Sequence, residues 1–97
     1  MRVTLHDKKV LEVKEPTEED QFEYLHVLEE YDKIQKDKGE FEAQKYAMDA
    51  QNRFVSKNCE MSVEEVQKMA LVDKSKIIEA MKSRMVILGR ADQRMDF

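Results

Sequence analysis

Phe41-Glu42-Ala43-Gln44-Lys45-Tyr46-Ala47-Met48-Asp49-Ala50-Gln51-Asn52-Arg53-Phe54-Val55 reads as a helix with two apolar stripes. At about 100° per residue, Ala43, Tyr46, Ala47, Ala50 and Phe54 share one face, while Phe41, Met48 and Val55 fall on nearly the opposite face. A surface helix needs one apolar stripe. This one either lies between two neighbours or presents its second stripe to another chain, and the flanking segments must supply whatever covers it.

Upstream, Glu15-Pro16-Thr17-Glu18-Glu19-Asp20 is a helix start. Pro16 steers Glu15 away from helix, Thr17 is placed to cap, and the carboxylates that follow sit at the positive end of the helix dipole. The predicted helix covers 17–38, with Tyr24, Val27, Leu28, Tyr31 and Ile34 as its apolar stripe. Gly39 ends it in a left-handed C-cap. With so short a joint, helices 17–38 and 40–58 form an antiparallel hairpin. The alanine-rich stripe of the second helix is its seam, because Ala43, Ala47 and Ala50 allow close approach. Phe22 projects away from the main stripe. We place it under the N-terminal arm, with a partner surface as the alternative.

Residues 1–14 make a β-hairpin or extended arm. Val3 and Leu5 alternate with polar residues, His6-Asp7-Lys8-Lys9 is a polar turn, and Val10, Leu11 and Val13 resume the strand signal. Such a hairpin is marginal alone and must pack on the helices. Downstream, Ser62 and Glu65 form a capping box that opens a short helix over 63–71. Asp73 is a candidate cap for a last helix over 74–88. Its Ile77, Ile78, Met81, Met85 and Leu88 fall within an arc of about 100°. Val86 and Ile87 lie outside that arc, so the end of this helix is apolar nearly all round. Gly89 stops it, and 90–97 is a polar tail. The fold class is mainly α: a small bundle of about four helices around a helical hairpin, with the N-terminal β arm.

The bulk composition agrees. At 97 residues the chain is one small domain, with 41% hydrophobic and 39% charged residues. A formal net charge of -4 argues against general nucleic-acid binding, which needs a basic face. The charge is uneven: Glu18, Glu19, Asp20, Glu23, Glu29 and Glu30 make the early helix acidic, and Lys74, Lys76, Lys82, Arg84, Arg90 and Arg94 make the end basic. Intramolecular complementarity accounts for this, with head-to-tail contact between copies as the alternative. One cysteine, Cys59, excludes an internal disulfide and fits a reducing cytosol. No apolar run is long enough for a signal peptide or membrane span, which points to a soluble intracellular protein.

Catalysis needs convergent groups, and the chain offers few. His6 and His26 have no second ligand at helical spacing, so no metal site is expected. Cys59 with His26 has nothing to supply an oxyanion hole. Glu18-Glu19, Glu29-Glu30 and Glu64-Glu65 are adjacent helical residues pointing about 100° apart, not acid–base dyads. Gly39 and Gly89 are too isolated to build a phosphate or calcium loop. We therefore expect no enzymatic activity, no catalytic residue and no cofactor. The last two helices admit a helix-turn-helix reading, but their basic residues are scattered, and only lysine stands where a recognition helix reads base edges. What remains is a helix-binding surface. Its candidate residues are Phe22, Phe41, Met48, Val55, Met85, Val86 and Ile87, and several methionines can repack against varied ligands.

The N-terminal strand segment, Glu15-Pro16-Thr17 opening a long helix, and Met61-Ser62-Val63-Glu64-Glu65-Val66 leading through Asp73 into Lys74-Ser75-Lys76-Ile77-Ile78 resemble the tail assembly chaperones of long-tailed bacteriophages and prophages. The resemblance covers most of the chain through helix-start signals and spacing. It implies a mostly helical protein of the bacterial host cytoplasm that binds the tape measure protein and keeps it soluble while the tail tube polymerises. It also implies absence from the mature virion, with self-association left open. The alternatives are a helix-turn-helix or other small phage regulatory protein, or a head–tail connector or other virion component.

Overall fold

The computed structural model describes residues 1–85. In chain order it contains β1 (Arg2–Thr4), β2 (Val10–Glu12), α1 (Glu18–Lys38), α2 (Glu40–Cys59), α3 (Val63–Gln67) and α4 (Leu71–Lys82). This is the mainly helical architecture with an N-terminal hairpin that the periodicities predict.

β1 and β2 pair antiparallel with Val3 opposite Leu11. The turn between them is closed by Leu5 N donating to Lys9 O at 2.8 Å, and Lys8 takes a positive φ of 70°. Two short strands do not hold themselves in water. Here Val3 and Val13 are buried in the helical core, the amino terminus donates to Val13 O at 2.7 Å, and Lys14 N donates to Asn58 O at 2.8 Å. The arm is thereby fixed to the C-terminal end of α2.

α1 starts as its sequence dictates. Asp20 N donates to Thr17 Oγ1 at 3.4 Å and Thr17 N donates to Asp20 Oδ2 at 2.9 Å, a reciprocal capping box. At the other end, Gly39 has φ 92° and ψ 175°. That is not the left-handed cap expected of it but an extended, positive-φ conformation essentially reserved for glycine. Gly39 N donates to Gln35 O and Gly39 O accepts from Ala43 N, so one residue closes α1 and opens α2.

Both later helices differ from their predicted limits. α3 stops at Gln67, not at residue 71, and α4 begins at Leu71, not at residue 74. Ala70 O accepts from both Asp73 N and Lys74 N, so Asp73 lies inside the first turn and caps nothing. Its carboxylate instead accepts from His6 N at 2.8 Å, a partner 67 residues away. α4 also ends early. Arg84 N to Met81 O and Met85 N to Lys82 O span three residues each, and Ser83 Oγ donates to Ala80 O. The rest of the predicted helix, 86–88, and the tail over 90–97 lie outside the described residues.

The core gathers Val3, Val13, Phe54, Val55, Cys59, Val66, Ile77 and Met81. It sits against the second half of α2, because α4 has 12 residues and α2 has 20. At about 1.5 Å per residue, α4 can follow little more than half of its neighbour. The two stripes of α2 are therefore covered unequally along their length. Val55 is fully enclosed by the α4 side of the core, whereas Phe41, on the same stripe nearer the hairpin joint, is 76% exposed.

Candidate binding groove between α1, α2 and α4

α1 packs chiefly on α2, and α4 packs on α2 and β1. Between α1 and α4 this leaves a groove of about 230 Å³. Tyr24, Val27, Leu28 and Tyr31 of α1 form one wall, Ala47, Ala50 and Phe54 of α2 form the floor, and Ile78, Met81 and then Met85 form the other wall. The floor is low for the reason the seam is close: two alanines stand where larger side chains would fill the space. The rim is polar, with Glu79 and Lys82 paired at 3.3 Å. Burial pushes the Tyr24 phenol up from its ordinary value, partly offset by the hydrogen bond and charge of Lys82.

The wall supplied by α1 is the unusual part. Among its 21 residues the single buried side chain is Asp20. Tyr24, Val27, Leu28, Tyr31 and Ile34, the apolar stripe that should be sealed in a closed bundle, are each only half-buried. α2 covers one side of the stripe, and α4 approaches the other only across the groove, through Ile78, Lys82 and Met85.

Polar locks hold the groove's framework. Lys57 Nζ donates to Asp20 Oδ1 at 2.8 Å, joining the first turn of α1 to the last turns of α2. Burial alone would raise the Asp20 carboxyl, but Lys57 and the Thr17 N–H outweigh it and hold the group below the usual carboxylate range. The same bond raises Lys57. Nearer the joint, Gln44 Nε2 donates to Tyr31 Oη at 3.1 Å. On the α4 side, buried Lys74 donates to buried Asn52 at 3.1 Å, and His6 Nδ1 lies 2.6 Å from Asp73 Oδ2. Burial works against the Asp73 charge, yet the His6 backbone and ring and the charge of Lys76 leave its pKa lowered.

The seven residues singled out from the sequence do not form one surface. Val55 is 0% exposed and belongs to the core, which removes it from any binding surface: α4 covers α2 there with Ile77 and Met81. Phe22 is 61% exposed and does not lie under the β arm, whose Val3 and Val13 enter the core instead. Phe22 stands near the Asp20–Lys57 end of the hairpin and Phe41 near the Gly39 end, so they cannot share a small ligand. Met48 is half-buried. Met85 lies on the groove wall, and Val86 and Ile87 lie outside the described residues. What the sequence reading missed is that the α1 stripe is itself the open surface. The signal was present in two tyrosines, a valine and a leucine facing mostly alanines too small to cover them.

The groups weighed for chemistry stand apart. Burial pushes the Cys59 thiol up to about 11, which suppresses the thiolate, and His26 is exposed on α1. Among the described residues no three His, Cys, Asp or Glu side chains gather as a metal-holding group, and no helix is long and apolar enough to cross a membrane. The first turn of α4 exposes Leu71 and Val72, while Lys74 points into the protein. Comparison with family models, curated proteins and solved structures gave no match.

Proposed function

We propose that the chain is a helix-binding chaperone whose ligand is the tape measure protein of a long-tailed bacteriophage or prophage. The observation that carries the binding part is the incompletely covered apolar stripe of α1 above the groove floor of Ala47 and Ala50. A groove walled by two helices and floored by a third takes the apolar face of an amphipathic helix. Burying a large apolar side chain is worth about 1.5–3 kcal/mol, so finishing the burial of four half-covered ones offers several kcal/mol before ordering costs. The Glu79–Lys82 rim supplies polar contacts at the edge.

The identity of the ligand comes from the resemblance of the helix starts at Thr17 and Ser62 and of the segment from Met61 to Ile78. A tape measure protein is long, helical and prone to aggregate, and a small acidic cap for apolar helix faces suits it. The test is co-expression with the tape measure protein encoded nearby, followed by affinity capture and a soluble-fraction assay. Co-purification with a rise in soluble tape measure protein is expected. No co-purification and unchanged solubility would overturn the proposal.

A further inference from the structure

The two strands of the N-terminal hairpin present unlike outer edges. Val13 N donates to Met1 O and Leu5 N donates to Lys9 O, each at 2.8 Å, so odd-numbered residues bond across the hairpin and even-numbered ones turn their backbone N–H and C=O groups outward. On β1 that outward row is guarded by α4. His6 N donates to Asp73 Oδ1 at 2.8 Å, and Lys76 Nζ donates to Thr4 O at 3.5 Å. On β2 only the far end is guarded, where Lys14 N donates to Asn58 O at 2.8 Å. The outward N–H and C=O groups of Val10 and Glu12 meet no partner among the described residues, and the Val10 side chain is exposed. Beside this edge, a cleft of about 410 Å³ lies open between residues 11–14 and residues 58–60. An unpaired strand edge of this kind is a template for another strand.

We propose that β2 pairs antiparallel with β2 of a second copy of this chain, joining two hairpins into one sheet across a twofold axis. The register follows from the outward groups: Val10 of each copy exchanges its backbone bonds with Glu12 of the other, and the two half-buried Leu11 side chains face each other at the axis. Length selects a second copy over a longer peptide strand. Beyond Glu12 a longer strand runs into α2, whereas β2 in this register reaches its own turn there, its Lys8 with φ 70° standing opposite Lys14. Charge agrees with the antiparallel sense. The turn end of β2 carries Lys8 and Lys9, and the other end carries Glu15 and Glu60, the latter paired with Lys14 at 3.1 Å. Each basic end thus meets the other copy's acidic residues. The proposal stands on the hairpin and is independent of the groove.

The test is analytical ultracentrifugation of the full chain up to millimolar concentration, beside residue-resolved amide exchange. A monomer–dimer equilibrium is expected. The amides of Val10 and Glu12 should exchange more slowly as concentration rises, while those of Arg2 and Thr4, on the guarded edge, stay constant. Val10→Pro removes an outward N–H and spares the bonds to β1, so the dimer dissociation constant should rise at least about tenfold with the hairpin retained. A monomer at every concentration, a dimer whose Val10 and Glu12 amides stay unprotected, or an undiminished dimer in Val10→Pro would overturn the inference. Protection of these amides only on addition of the tape measure protein would overturn it as well, by making the edge a peptide site.

Discussion

Asp20 is the one fully buried side chain of α1, and it does two jobs with its two oxygens. One closes the Thr17 capping box and the other holds Lys57. Asp20→Ala should therefore cost about 2 kcal/mol, read as a lowered urea midpoint, from a lost cap and a lost charge-assisted bond. The pH dependence has a definite sign. Because the folded carboxyl lies below its unfolded value of about 3.9, its contribution is complete above that pH and disappears as the pH falls through the folded value. Lys57, raised in the folded state, loses its contribution only as the pH climbs beyond the ordinary lysine range. Asp20→Asn should flatten the acid limb of a stability–pH curve; an unchanged limb would show that other carboxylates set it. The Thr17 cap was legible in the sequence because capping is local. Lys57 was not, since it is 37 residues away and meets Asp20 only through the register of the hairpin.

Gly39 is where two helices are made from one uninterrupted helical sequence. A Cβ there would meet nothing within 4 Å, so the cost of Gly39→Ala is conformational alone. With φ at 92°, that cost should be about 1–3 kcal/mol in chemical denaturation, and a neutral result would mean the joint can be rebuilt in another conformation. The two stripes of α2 were legible in the sequence, with burial between neighbours and contact with another chain both open, but periodicity says nothing of how long the neighbours are. The shortness of α4 divides one stripe into a buried end and an open end. Val55→Ala should lose about 2 kcal/mol, whereas Phe41→Ser should stay within about 0.5 kcal/mol of the parent by the same thermal or urea measurement. The start of α4 was misplaced for a related reason. Asp73 satisfies the sequence rule for a cap, and the competing partner, His6, belongs to the β arm and is brought near only by the fold.

In the molecule as a whole, the helices close around a core at one end of the hairpin and leave the apolar stripe of α1 half-covered. The burial pattern of α1 is the inverse of an ordinary bundle helix, with a charged residue inside and the apolar stripe half outside. The number of helices and the hairpin were legible because each depends on periodicity and local stops. The groove was not, because it arises from the packing of both α1 and α4 on α2, which no local pattern states. Leu28 lies in the α1 wall and is only half-buried, so a charge there should spare the fold while spoiling the surface. The decisive measurement is the amount of tape measure protein captured by full-length Leu28→Asp beside the parent, with circular dichroism to verify that both are folded. A folded variant whose capture drops at least about tenfold, the loss corresponding to about 1.4 kcal/mol, is the predicted result. Undiminished capture by folded Leu28→Asp would contradict the assignment of the groove as the binding surface.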